Sequence, residues 1–415
     1  MKSKLPAFLL ASSSLLLMAC GNNANSNTST EQPNLTDSIY PPVESNKANT
    51  DYTPAFEGQT RVAGVKTSTP ITHSILTKEL KSPWGIAVLP DGRLLITEKA
   101  GVLRIAAADG TLSAPITGLP KVDDQAQGGL LGLTLDPDFA SNRMVYWVFA
   151  EPVAAGNHTA VAKGRLADDE KTIENASVIY RAMPTFKGKL HYGGRIIFDK
   201  TGNLLVSTGE RSELETRPLA QDLKSALGKI LRITTDGKAA AGNPFEGNKD
   251  ALPEIYSYGH RNVQGIALHP ETSDLWETEF GPRGGDELNF VEAGKNYGWP
   301  TITYGLEYSG KQIGDPVIQQ HEGMEQPVYY WDPVLSPSGL IFYTADAIPE
   351  WKNNLFAGGL SSMHIARLVI KDNKVVGEER LLAKEGQRFR DVVQGKDGEI
   401  FAVTDAGYLY KITKK

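Results

Sequence analysis

A histidine, three arginines and an acidic glycine-rich loop are the parts of this sequence whose types and spacing could do chemistry. His191 lies in KLHYGGRIIFDKTGNLLVSTGE (residues 189–210), two residues ahead of a glycine pair that opens an alternating apolar segment. An unperturbed imidazole is neutral near pH 7 and suited to accept a proton from a hydroxyl. A lone histidine is more often a loop residue that bonds backbone, so its neighbours must decide. Arg261 in YGHRNVQG and Arg388 with Arg390 in QRFRDVV stand at comparable places in the chain. If they converge with His191, three guanidinium groups repel unless an anion sits among them, which calls for a carboxylate-bearing ligand. Arg388 and Arg390 would share one face of a strand in any case, so a plain surface reading of that pair stays open. His260 would point away from Arg261 on an extended chain and is left outside the expected site.

The acidic stretch is ETEFGPRGGDELNFVEAGKNYGWP (residues 277–300). Glu277, Glu279, Asp286 and Glu287 offer hard oxygens, and Gly281-Pro282 with Gly284-Gly285 make a tight loop whose carbonyls could turn inward, as calcium requires. The spacing is not that of an EF-hand, and taken alone such a loop is more often solvated surface.

These residues need a scaffold, and the chain supplies one by repetition. PWGIAVLPDGRLLITEKAGVLRI (83–105) and FRDVVQGKDGEIFAVTDAGYLYKI (389–412) share a phrase of apolar strand, Asp-Gly turn and second strand. Four further copies begin at Gly129, Gly193, Asn262 and Pro337, which makes six. Period-2 strands joined by such turns are hairpins, and their spacing leaves room for two more strands per unit. That predicts an all-β fold, a six-bladed β-propeller of four-stranded antiparallel blades over residues 65–415. A pair of β-sandwiches is the alternative, while the lack of long amphipathic segments between strands argues against a parallel α/β sheet. In a propeller, loops at one end of the inner strands face each other, and so would QGG (127–129), HYGG (191–194), GHRN (259–262) and QRFRDVV (387–393).

The N-terminus speaks for the cell envelope. Lys2 and Lys4 precede an apolar run ending in Leu-Met-Ala-Cys at Cys20, the only cysteine. The run is too short to span a bilayer, and it resembles a bacterial lipoprotein signal: residues 1–19 removed, Cys20 lipidated, Gly21 directing the protein to the outer membrane. A plain cleaved signal with an incidental cysteine is the alternative. Residues from Cys20 to about 64, rich in Asn, Ser, Thr and Pro, read as a low-complexity tether. The net charge of -6 becomes -8 once Lys2 and Lys4 are lost, which excludes a nucleic-acid binder.

Together these phrases resemble the glucose/sorbosone dehydrogenase family, the soluble pyrroloquinoline quinone (PQQ)-dependent sugar dehydrogenases, and within it the bacterial aldose dehydrogenases. The resemblance runs from about Pro83 to Ile412 and is strongest in YGHRNVQG and GPRGGDELNFVEAGKNYGWP. It implies a six-bladed propeller, PQQ and Ca2+ as cofactors, an aldose substrate oxidised at C1 to its lactone, and an external electron acceptor. It makes His191 the general base and places Arg261, Asn262 and Gln127 at the quinone, with Arg388 and Arg390 on cofactor carboxylates. Gly281 and Pro282 would hold the quinone-bound calcium through their carbonyls; Asp286, Glu287 and Tyr297 would hold a structural one.

Two positions depart from the family. Leu190 stands where an aspartate often precedes the base, and Ser361 stands where the best-known members carry a cofactor-binding lysine. Two other functions remain in view: a calcium-dependent lactonase on a similar propeller, and a catalytically silent envelope propeller. The sequence leaves monomer and homodimer equally open.

Overall fold

A computed structural model describes residues 40–415; the expected signal, Cys20 and the first half of the tether lie outside the described residues. Strand β1 (Ile71–Thr77) comes first, followed by blade 1 with β2 (Pro83–Val88), β3 (Leu94–Glu98) and β4 (Val102–Ala106). Blade 2 holds β5 (Leu130–Leu135), β6 (Met144–Val153), β7 (Gly156–Leu166) and β8 (Ile173–Arg181). Blade 3 holds β9 (Ile196–Phe198), β10 (Leu204–Ser207), β11 (Lys229–Ile233) and β12 (Ile255–Tyr258). Blade 4 holds β13 (Val263–Leu268), β14 (Leu275–Glu279), β15 (Asp286–Val291) and β16 (Tyr329–Trp331). Blade 5 holds β17 (Pro337–Phe342), β18 (Leu355–Gly359), β19 (Ile365–Lys371) and β20 (Lys374–Leu381), and blade 6 holds β21 (Phe389–Gln394), β22 (Ile400–Thr404) and β23 (Leu409–Lys414).

The fold is the expected six-bladed propeller, and its inner strands β2, β5, β9, β13, β17 and β21 are the first strands of the six sequence repeats. Every blade is an antiparallel meander. Asp199 shows why the turns form where they do: its carboxylate accepts the backbone N–H groups of Thr201 and Asn203 at 2.8 and 2.9 Å, while Gly202 takes φ +81°. Blade 6 lacks a fourth strand of its own and borrows β1, paired antiparallel with β23 from Ile71↔Lys414 onward. This ties the N-terminal strand to the C-terminal blade and closes the ring, with β1 as the outer edge strand of that blade. Blade 1 has three strands, with the bridges Leu103↔Ile116 and Ala106↔Leu112 in place of the fourth.

Blades pack through apolar faces, as in the cluster that joins Trp84 of blade 1, Leu131 of blade 2, and Ile196 and Val206 of blade 3. Cutting one such side chain to Ala costs about 2–5 kcal/mol. Near the axis the packing turns polar. Arg195 donates to Asp391 of blade 6 at 2.6 Å and to the Gln264 carbonyl of blade 4 at 2.5 Å, while Asp391 also accepts Ile86 N–H of blade 1 at 3.0 Å. Both side chains of this pair are buried, so one guanidinium crosses the channel and ties four blades together.

The tether expected through residue 64 ends earlier. Tyr40 bridges Gly64, which also pairs with Glu378 within β20, and Asn49 and Thr50 donate backbone N–H groups to Asp332 at 2.8 and 3.1 Å. The segment is held largely by hydrogen bonds, with Val62 as its buried apolar anchor, so a composition poor in apolar residues gave little sign of its packing. Among the described residues no helix is long and apolar enough to cross a membrane.

Candidate active site

His191 sits in the loop before β9, nearly buried, with φ +45°. A non-glycine residue in that region is strained and must be held by its surroundings. Gln127 Oε1 of the loop before β5 accepts its backbone N–H at 2.8 Å, and Asn262 Oδ1 accepts the N–H of Gly193 at 2.9 Å. The strand end beyond β10 comes so close that a Cβ on Gly209 would lie 2.3 Å from the His191 carbonyl oxygen. Only glycine fits there.

Among the described residues the imidazole has one hydrogen-bond partner: Nδ1 meets Glu210 Oε1 at 2.5 Å, and Glu210 is itself 1% exposed. A carboxylate on Nδ1 keeps the proton on that nitrogen and leaves the Nε2 lone pair free. Burial first, then the charge of Arg261, pushes the His191 pKa down to about 4 against the pull of Glu210. The ring is therefore neutral at pH 7.

Arg261 and Asn262 adjoin it through the same strand end, since Glu210 N–H donates to the Arg261 carbonyl at 3.0 Å. Arg261 Nη1 donates to the carbonyls of Phe280 and Gly281 at 3.0 and 2.8 Å. Arg261 Nε and Asn262 Nδ2 are buried donors with no protein partner among the described residues. Such donors cost free energy unless a ligand satisfies them.

Beside this group opens a cavity of about 340 Å³ lined by Trp84, Lys99, Gln127, Arg388, Arg390 and Asp405, among others. Arg388 and Arg390 do face the site, as expected, but not unpaired: Asp405 accepts Arg388 Nε and Arg390 Nε, each at 2.8 Å. Burial alone would raise the Asp405 pKa, yet Arg390 and Arg388 hold it below the usual carboxylate value. Part of the anion demanded by the arginines is thus internal. The aromatic wall, the cationic rim and the free Arg261 and Asn262 donors fit a flat polyanion of PQQ size.

The acidic loop is built differently from the expectation. Asp286 and Glu287 are consecutive in β15 and present their carboxylates to opposite faces. Asp286 accepts backbone N–H groups from Gly281, Leu335 and Ser336 at 2.9, 2.8 and 2.7 Å, so it braces two loops rather than joining Glu287 and Tyr297 around one ion. What gathers on the other face is His260 with Glu277 and Glu279, their ligand-type atoms within 4.8 Å of one another. Burial would lower the His260 pKa, but Glu277 and then Glu279 raise it to about 9, so here it is the cation of the group. Tyr297 stacks its ring on His260 with centroids 4.8 Å apart. At the quinone-side position, Gly281 O keeps one lone pair beyond its bond to Arg261, and with Pro282 O it offers the hard oxygens that calcium takes. A dication sharing that oxygen with a guanidinium needs an anionic ligand beside it.

Glu210, Asp405 and Lys99 were not singled out from the sequence, although a signal for the two acids was present. TEKAG, TEFGP and TDAGY place Glu98, Glu279 and Asp405 directly after a threonine at the end of the second strand in blades 1, 4 and 6, and TGERS places Glu210 one residue further on in blade 3. Comparing the repeats at that position would have found the partner of His191.

The sequence profile of the family described as Glucose / Sorbosone dehydrogenase matches residues 80–411. Among curated proteins the chain is similar to the aldose sugar dehydrogenase YliI of Escherichia coli K12, 41% identical over 349 residues, covering 83% of this chain and 93% of that protein. Among solved structures it is similar to a glucose dehydrogenase at 43% identity, TM-score 0.80, covering 83% and 99% of the two chains. The PQQ-bound aldose sugar dehydrogenase of Streptomyces coelicolor aligns at 30% identity and TM-score 0.68, covering 84% and 99%.

Proposed function

The chain belongs to the glucose/sorbosone dehydrogenase family, and we propose that it is a quinoprotein that oxidises aldose sugars at C1 to their lactones. The PQQ-bound relative supports the cofactor, and the observation that carries the reading is a neutral imidazole with a free Nε2 beside a cationic, aromatic-walled cavity. When bound, PQQ would supply the two-electron acceptor for the C1 hydride, and Ca2+, which the Gly281 and Pro282 carbonyls would hold, would supply Lewis-acid polarisation.

The rest is work for the protein's own groups. His191 Nε2 accepts the proton of the C1 hydroxyl, and Glu210 stabilises the imidazolium that forms and fixes its ring plane. Arg261 and Asn262 meet ligand oxygens with their unpartnered donors, Gln127 holds the His191 loop, and Arg388 and Arg390 hold ligand carboxylates at the rim. Leu190, 36% exposed and apolar, offers sugar hydroxyls no partner at that point, so the remaining polar groups must position the substrate. The lactonase alternative loses support because Arg195 crosses the channel where a hydrolytic metal would have to sit.

The N-terminal pattern supports a lipid anchor on Cys20 at the periplasmic side of the outer membrane, with an external acceptor reoxidising the cofactor. Loss of fatty-acid labelling in Cys20→Ala would test the anchor. For the activity, the protein is titrated with PQQ and Ca2+ and then given an aldose while visible absorbance is followed. The expectation is a spectral change on binding and a second on sugar addition; no change on either addition would favour a silent envelope propeller.

A further inference from the structure

The charge lining the cavity does not balance. Its ionisable residues are Lys99, Arg388, Arg390 and Asp405, three cations against one carboxylate that the two arginines already share. Of these, Lys99 alone among the cations has no role assigned so far. It follows Glu98 at the end of β3, so it approaches the cavity from blade 1, which packs beside blade 6 and its two arginines. Its Nζ donates to the carbonyl of Ala126, one residue before Gln127, at 2.6 Å, which leaves two N–H groups. Half-buried, it has its pKa lowered by burial and then by the charge of Arg390, so it lies in the field of the arginines without an acidic partner among the described residues. Asp405 and Asp124 act on Lys99 without a direct bond, and Asp405 is already shared by both arginines, so the cations are in excess and an added anion stabilises them.

We propose that Lys99 is the third cation of the cofactor site, holding a ligand carboxylate from blade 1 beside Arg388 and Arg390 of blade 6. This deepens the quinone reading and rests on it. The proposal also accounts for Ser361, which stands where a lysine is expected. Ser361 receives a bond from Ser336 Oγ at 2.8 Å and is exposed, while its neighbour Leu360 lines the cavity. A charge missing from blade 5 is supplied from blade 1, the neighbour of blade 6 on its other flank, so a ligand with three carboxylates still meets cations from two blades.

The test measures PQQ binding to the full apoprotein with Ca2+ present and no sugar, by quenching of tryptophan fluorescence across a series of salt concentrations. Lys99→Gln is expected to weaken binding about 10- to 100-fold, the size of a lost charge-assisted hydrogen bond, and to flatten the salt dependence. Lys99→Arg should stay within about threefold of the wild type, because it keeps the charge. Thermal unfolding of each apo variant is read alongside, and Lys99→Met, which keeps the stem and removes the head, repeats the experiment if the Gln variant unfolds early. Wild-type affinity and salt slope in both neutral variants would overturn the role of Lys99 alone. Failure of the wild type to bind PQQ would overturn the quinone reading, and this inference with it.

Discussion

The two halves of the channel mouth use the same device for different ends. In blade 3 the acid after the second strand is Glu210, 1% exposed in its side chain and bonded to His191; in blade 6 it is Asp405, 31% exposed and bonded to Arg388 and Arg390. The repeat aims both carboxylates at the axis. Burial then decides what each can do. Around Glu210 little water screens the charge, so one contact fixes a tautomer and a ring plane. Around Asp405 the charges are screened, the arginines keep donors to spare, and the group can exchange partners with an incoming carboxylate. The buried half is organised for proton transfer and the open half for anion binding.

That division can be broken by substitutions that ought to separate rate from affinity. His191→Ala should have the largest effect, lowering turnover with PQQ and Ca2+ loaded by about 10³-fold while PQQ affinity stays within about threefold. Steady-state kinetics beside a binding titration checks it, and a loss of affinity equal to the loss of rate would erase the contrast. Glu210→Gln should lower kcat by about 10²-fold with little change in KM, since it disturbs the orientation and charge of the base and not the sugar contacts. Arg390→Ala should do the reverse, weakening PQQ about 10-fold or more while turnover at saturating PQQ is retained. Leu190→Asp sharpens the account at its smallest scale: one new hydrogen bond to sugar would lower KM by about fivefold, with kcat nearly unchanged. An unchanged KM across a panel of aldoses would mean the substrate does not approach that side.

Much of this was legible in the sequence because repetition is. The six inner strands could be placed from Asp-Gly turns and alternating apolar residues, and the polar loops they carry do meet at one mouth. Three things were not legible, each for a physical reason. Pairing between β1 and β23 spans nearly the whole chain and leaves no local pattern. The 40–64 segment is held largely by hydrogen bonds such as Asn49 and Thr50 to Asp332, which composition does not register. Asp286 and Glu287 looked like neighbouring ligands, yet strand alternation sends them to opposite faces, and His260, set aside as pointing away from Arg261, became the centre of the acidic group instead.

The proposed chemistry turns on His191 being a neutral base with its proton on Nδ1 and its Nε2 lone pair without a side-chain or backbone partner among the described residues. Nitrogen-15 NMR of its imidazole in the apoprotein, assigned by the signal lost in His191→Ala, reads this directly. The account predicts the Nδ1–H tautomer at pH 7 and no protonation of Nε2 until the pH falls to about 4, where the base would be lost. An imidazolium at pH 7, or the Nε2–H tautomer, would contradict it.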